Sequence, residues 1–153
     1  MTNHLMAFLN PEAIELQSNA KSNVEIIRIL AGKLERLGYV KPSYADAVVA
    51  RELSLPTGLP LRRKDNVAVP HTDPEHVIRT GIAFATLTSP IPFGNMEFPD
   101  EPLPVGFVFL LAIDDKNTQI ETLQQIMTTI QNADAMERLK QARTLADVEA
   151  ALA

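Results

Sequence analysis

From Val105 to Ile113 the chain is almost unbroken apolar sequence, Val-Gly-Phe-Val-Phe-Leu-Leu-Ala-Ile. Such a run is too short to cross a bilayer, which takes ~20 residues, and it lacks the polar alternation that would let one face meet water. It predicts a central strand covered on both faces. Only a sheet with helices above and below provides that cover, so the expected fold is α/β, a three-layer sandwich with a mixed sheet.

A second short strand is predicted at Val67-Ala68-Val69, a β-branched run that Pro70 stops by removing a ladder donor and fixing its own φ. His71 then emerges at the strand's carboxyl end, where open α/β sheets place their ligand crevices. Further strands are predicted at an edge from Phe8 to Gln17 and from Gly81 to Thr88. Between Ser89 and Pro104 lie prolines at 90, 92, 99, 102 and 104, with Gly94 and the acids Glu97, Asp100 and Glu101. That composition predicts a surface loop, with a short strand around Phe98.

Helices fill the gaps. Ser22 and Glu25 have capping-box spacing, Val24, Ile27, Leu30, Leu34 and Leu37 form a stripe, and Gly38 stops it. A second helix runs from Ser43 to about Leu55, with Tyr44, Ala47, Val48 and Leu55 on one face, before Pro56, Thr57, Gly58 and Pro60 make a loop. A third begins at a Thr118–Glu121 capping box, with Ile120, Leu123, Met127 and Ile130 as its core stripe. Asp134 and Thr144 cap two shorter helices that end the chain.

The 153 residues suit one domain, 1–153, without linker, repeat or low-complexity segment. A formal charge of -5, with Arg62-Arg63-Lys64 as the basic cluster, argues against a nucleic-acid partner, which would call for a basic stripe. Zero cysteines exclude disulfides and thiolate metal sites and fit a cytoplasmic protein. The amino terminus lacks a signal-peptide pattern.

Two polar side chains fall on faces that should be buried. Arg51 lies four residues after Ala47 and three after Val48, so it is either a snorkelling stem or a fixed cation facing an anion. Gln119, four residues before Leu123, predicts an inward amide that needs partners, from the backbone or from a reactive ring. His71 itself has three readings. It is a silent loop histidine, or a metal ligand with His76, Asp73 or Glu75, or a covalent nucleophile whose charged adduct Arg51 and a helix amino terminus would screen. The metal reading lacks helical ligand spacing and has no further histidine except His4. No Gly-rich phosphate loop is present, so a nucleophilic His71 would need a phosphoryl donor other than a bound nucleotide.

The combination Ala50-Arg51-Glu52, Leu55-Pro56-Thr57-Gly58-Leu59 and Val67-Ala68-Val69-Pro70-His71, followed by the strand to Ile113 and its amphipathic helix, resembles the fructose/mannitol-type enzyme IIA of the bacterial phosphoenolpyruvate:sugar phosphotransferase system. Pro-Thr-Gly, a histidine five residues beyond His71 and glutamine at 119 are most similar to the galactitol-specific branch. The resemblance implies that His71 takes a phosphoryl group from the phosphocarrier protein HPr and passes it to a cysteine of an enzyme IIB, which serves a membrane enzyme IIC. It implies Arg51 as the active-site arginine, with Thr57, Thr72, Gln119 and His76 supporting, and calls for no cofactor or metal. Gln119 stands where mannitol-like members carry a second histidine, and Thr72 where the family has a smaller residue. Pro92, Phe93, Met96, Phe98 and Leu59 are candidates for an apolar docking rim. A regulatory, nitrogen-type module of the same fold and, more remotely, a metal-dependent hydrolase are the competing readings.

Overall fold

A computed structural model describes residues 5–61 and 63–153, so His4 and Arg62 lie outside the described residues. The element order is α1 (Leu5–Phe8), β1 (Leu9–Ser18), α2 (Asn23–Arg36), α3 (Tyr44–Ser54), β2 (Gly58–Leu59), β3 (Asn66–Ala68), β4 (Gly81–Gly94), β5 (Pro102–Ala112), α4 (Lys116–Ile130), α5 (Ala133–Gln141) and α6 (Leu145–Leu152), with a 3-10 turn at Pro74–His76. The strands form a mixed sheet in the order β1-β4-β5-β3-β2. β1 and β4 run parallel, as do β3 and β5, while β4 with β5 and β2 with β3 are antiparallel.

Helices cover both faces, as the apolar run in β5 requires. Side chains of successive β5 residues enter opposite cores. Val105, Val108 and Leu110 join Ile26, Leu30, Leu34 and Tyr44 beneath α2 and α3. Phe107, Phe109 and Leu111 join Ile126, Ile130, Leu139 and Val148 beneath α4, α5 and α6. Phe84 and Phe109 meet across β4 and β5 with centroids 4.7 Å apart. α2 starts with Ser22 Oγ accepting from Glu25 N and ends at Gly38, whose φ of 84° is left-handed and whose neighbour Tyr39 N donates to Leu34 O.

The predicted loop from Ser89 to Pro104 is instead a β-arm. β4 continues to Gly94 and pairs with the first residues of β5, Pro92 opposite Pro104 and Gly94 opposite Pro102, beyond a register shift after Thr86. Pro90 and Pro92 face solvent while Ile91 and Phe93 are buried, so the prolines alternate with the apolar residues on the two faces of the ribbon. Phe98 belongs to the turn at the arm's tip rather than to a strand. The arm folds back far enough for Asn95 to bridge to Gly58 and for Pro56 to pack on Gly94, where a Cβ would sit 2.7 Å from the proline ring.

α4 also differs from its predicted face. Its buried residues are Thr122, Ile126, Thr129 and Ile130, whereas Ile120 and Met127 are exposed. Thr122 and Thr129 can be buried because their hydroxyls donate to the carbonyls of Thr118 and Gln125, four residues back, at 2.7 and 2.9 Å. The helix cap is Asp115, not Thr118, and α5 is capped by Asn132 rather than Asp134. Thr144 makes the predicted cap of α6, completed by Asp147.

Candidate active site

Where β3 ends, the chain turns away from the sheet. Pro70 still accepts from Leu111 N at 3.0 Å, so the strand's last hydrogen bond to β5 sits immediately before His71. Tyr44 fixes the same point from the helix side, its buried hydroxyl donating to Leu111 O at 2.7 Å. Burial also pushes the Tyr44 phenol far above its usual range, so it stays a donor.

His71 is half-buried and its Nδ1 lies 2.9 Å from Val69 O. A carbonyl can only accept, so Nδ1 carries the hydrogen and the lone pair rests on Nε2. Burial holds the imidazole below its ordinary pKa; the Arg51 charge pushes the same way, against the Val69 carbonyl and Asp73. The ring is therefore a neutral base with one defined nucleophilic nitrogen.

His71 opens into a groove of about 300 Å³ lined by Arg51, Thr72, Asp73, Lys116, Gln119, Ile120 and Leu123, among others. The groove thus joins the end of α3, the loop after β3 and the first turns of α4. Arg51 Nε is buried with no hydrogen-bond partner, a condition no other buried side-chain polar atom shares among the described residues. A donor left so costs about 1–3 kcal/mol. The Arg51 side chain also lines the groove, which suits a fixed cation facing an anion better than the snorkelling stem.

The other sequence candidates divide. Thr72 is buried and lines the groove, and Gln119, half-exposed rather than turned into the core, lines it as well. Thr57 lies under the strand rather than in the groove: its N and Oγ1 donate to Glu52 Oε2 and Oε1, each at 2.8 Å, and its Oγ1 accepts from Val69 N at 3.2 Å. His76 is not among the groove's lining side chains. Its Nδ1 is 2.8 Å from Ser43 Oγ and its Nε2 3.8 Å from Glu75, so it straps the loop after β3 to the start of α3. This bond also explains why Ser43 makes no side-chain cap on α3. The amide of Thr118 donates to Asp115 Oδ1 at 2.8 Å, and Lys116 supplies the positive charge on that wall. Among the described residues no group of three or more His, Cys, Asp or Glu is placed to hold a metal, and no helix is long and apolar enough to cross a membrane.

Glu52 was missed. It is 4% exposed, and burial pushes its carboxyl up to about 7, against the two Thr57 hydrogen bonds and the Arg51 charge. Its spacing held the signal, since it lies four residues after Val48 on the buried face where Leu55 was expected; Leu55 is exposed. Two docking candidates are also reassigned. Leu59 and Phe93 belong to the core, while Met96 and Phe98 are exposed.

The chain matches the family described as "Phosphoenolpyruvate-dependent sugar phosphotransferase system, EIIA 2" over residues 7–153. It is 32% identical over 148 residues to the mannitol-specific EIICBA component of Vibrio cholerae, covering 95% of this chain and 21% of that protein. It thus spans about a fifth of the length of the mannitol relatives it matches. It is 24% identical over 115 residues to the galactitol-specific EIIA component of Escherichia coli, covering 75% of each. Among solved structures it resembles enzyme IIA of the mannitol system in the complex with phosphorylated enzyme IIB from Escherichia coli, with a TM-score of 0.73, 27% identity, and 94% of this chain and 95% of that one covered. By sequence and by fold the chain belongs to the type 2 enzyme IIA family of the sugar phosphotransferase system, whose members are phosphotransferase components that carry a phosphohistidine.

Proposed function

We propose that residues 1–153 act as one IIA unit on the cytoplasmic side of a polyol phosphotransferase system, with His71 as its phosphoryl carrier. HPr is the donor and a cysteine of an enzyme IIB the acceptor, and the sugar carried by the membrane IIC partner is galactitol or a related polyol. The observation that carries this reading is the pairing within one groove of a neutral imidazole, its lone pair confined to Nε2, with the guanidinium side chain of Arg51. The mannitol and galactitol relatives support a polyol.

In the forward step the Nε2 lone pair forms a bond to phosphorus as the bond from phosphorus to the donor nitrogen breaks, its pair returning to the donor imidazole. Phosphorylation makes the His71 ring cationic, and the Nδ1–H to Val69 O bond strengthens as that charge develops. Arg51 and Lys116 offset the phosphoryl charge, and Thr72 and Gln119, which line the same groove, donate to its oxygens. In the onward step a thiolate attacks phosphorus and the pair of the P–N bond returns to Nε2. Holding both partners in line with one fixed nitrogen supplies most of the catalysis such a transfer needs. Ile120 and Leu123 on the groove wall, with Met96 and Phe98 on the arm, form the apolar surface against which the partners dock.

Incubation with phosphoenolpyruvate, enzyme I and HPr should add one acid-labile, alkali-stable phosphate that peptide mapping places on His71, and His71→Ala should abolish it. Label on another residue would end the reading. Failure of the phosphoprotein to pass its phosphate to any enzyme IIB would leave the regulatory alternative in its place.

A further inference from the structure

A buried acid that no step above uses sits directly behind the site. Glu52 Oε1 and Oε2 each accept from Thr57 at 2.8 Å, Thr57 Oγ1 accepts from Val69 N at 3.2 Å, and Val69 O accepts from His71 Nδ1 at 2.9 Å. One carboxylate is thereby linked, through a single hydroxyl and a single strand residue, to the nitrogen opposite the one that reacts. Its peptide neighbour Arg51 lines the groove, and its own hydrogen bonds tie the last turn of α3 to Thr57, immediately before β2.

A buried hydrogen-bonded acid contributes little net stability, although here it satisfies Thr57 N and, through Thr57 Oγ1, the amide of Val69. What the carboxylate does supply is direction. In its ionised form Glu52 has two acceptor oxygens and no hydrogen, which makes the Thr57 hydroxyl donate towards it and leaves the Oγ1 lone pairs for Val69 N. Val69 is then held at its amide by Thr57 and at its carbonyl by His71.

We propose that Glu52 is a positioning residue for the phosphoryl carrier: through Thr57 it fixes Val69, whose carbonyl keeps the hydrogen on Nδ1 and the reactive lone pair on Nε2. The inference rests on His71 being the phosphorylated residue. Two measurements on the whole chain test it. One is the ring ¹⁵N spectrum of His71 in the unphosphorylated protein, and the other is the steady-state rate of phosphoryl transfer from phospho-HPr.

In the wild type Nε2 should give the signal of an unprotonated nitrogen. Glu52→Gln and Thr57→Val should each mix the two tautomers and lower kcat about tenfold with KM for phospho-HPr unchanged, the loss typical of a displaced support. Thr57→Ser keeps the hydroxyl and should stay within about twofold of wild type on the same grounds. If Glu52→Gln does not fold, the comparison of Thr57→Val with Thr57→Ser decides alone. Folded variants with wild-type kcat and an unchanged ring spectrum would overturn the proposal. Wild-type phosphate found away from His71 would overturn the phosphocarrier reading instead, and the tautomer spectrum would still judge the Glu52 linkage by itself.

Discussion

The two walls of the groove are built in opposite ways. The wall behind His71 is closed: Tyr44 bonds Leu111, Leu111 bonds Pro70, and Glu52, Thr57 and Val69 lead to the imidazole, all beneath buried strands. The wall opposite is the first turns of α4, where Ile120 is 57% exposed and Lys116 reaches solvent. The first wall can hold one nitrogen in one orientation because the side chains of Tyr44, Glu52, Thr57 and His71 in it are each hydrogen-bonded. The second offers charge and apolar surface that an arriving protein can cover. On the proposed function, substitutions in the closed wall should alter how His71 is held, and those in α4 should alter phosphate contacts and docking.

The largest expected effect comes from Arg51, which faces the groove from the end of α3. Arg51→Lys keeps the charge but has no counterpart to the buried Nε–H and no planar fork. Phosphoryl acceptance by His71 should fall on the order of a hundredfold, the loss typical of removing a positioned donor to developing charge. Rapid-quench measurement with ³²P-labelled phospho-HPr checks it, and a lysine variant within twofold of wild type would show that charge alone suffices on this wall.

How much of this was legible in the chain depended on whether polarity and burial agreed. β5 and the stop at Pro70-His71 were legible because apolar, β-branched residues were also the buried ones. Thr122 and Thr129 broke that agreement, since hydroxyls that bond their own helix can be buried. The stripe was therefore drawn through Ile120 and Met127, which are exposed. The same ambiguity hides part of the site: Ile120 is exposed on the groove, Leu123 both packs against the core and lines the groove, and Glu52 is hard to foresee because carboxylates are almost never buried unless paired. The arm from Ile91 to Gly94 carried a period of two, but its prolines occupy the solvent face of the ribbon, and their number suggested a loop. Three-dimensional partners decided each of these cases, and spacing along one helix or strand does not contain them.

A middle-sized effect should appear in the pH dependence of the closed wall. Burial first, and the Arg51 charge after it, hold the His71 pKa below the ordinary 6.5. Neutral, nucleophilic imidazole therefore persists as pH falls through 6.5, and the rate of phosphoryl acceptance should stay flat there and fall only at lower pH. In the unfolded chain the same residue takes its proton first, so its contribution to stability is present above 6.5 and is lost as pH falls through the folded value. Arg51→Ala should move the midpoint of the rate profile upward, since it removes one of the two influences that lower it. A wild-type profile that halves at 6.5 would mean that the ring is not held in a dry, cation-facing environment.

The smallest effects should separate Gln119 from His76, two residues that a linear reading placed on equal terms. Gln119 lines the open wall and, on the proposed function, donates to a phosphoryl oxygen, so Gln119→Ala should slow acceptance about threefold to tenfold, the value of one neutral hydrogen bond at about 1 kcal/mol. His76 is held by Ser43 and Glu75 outside the groove lining, so His76→Ala should leave the rate within about twofold while lowering thermal stability slightly, as expected when one partly exposed hydrogen bond is lost. Measured side by side with the same phosphodonor, the two variants test whether the groove lining marks the limit of the chemistry. A larger kinetic loss at His76 than at Gln119 would extend the closed wall through the strap at Ser43 and make the loop after β3, rather than α4, the element that governs transfer.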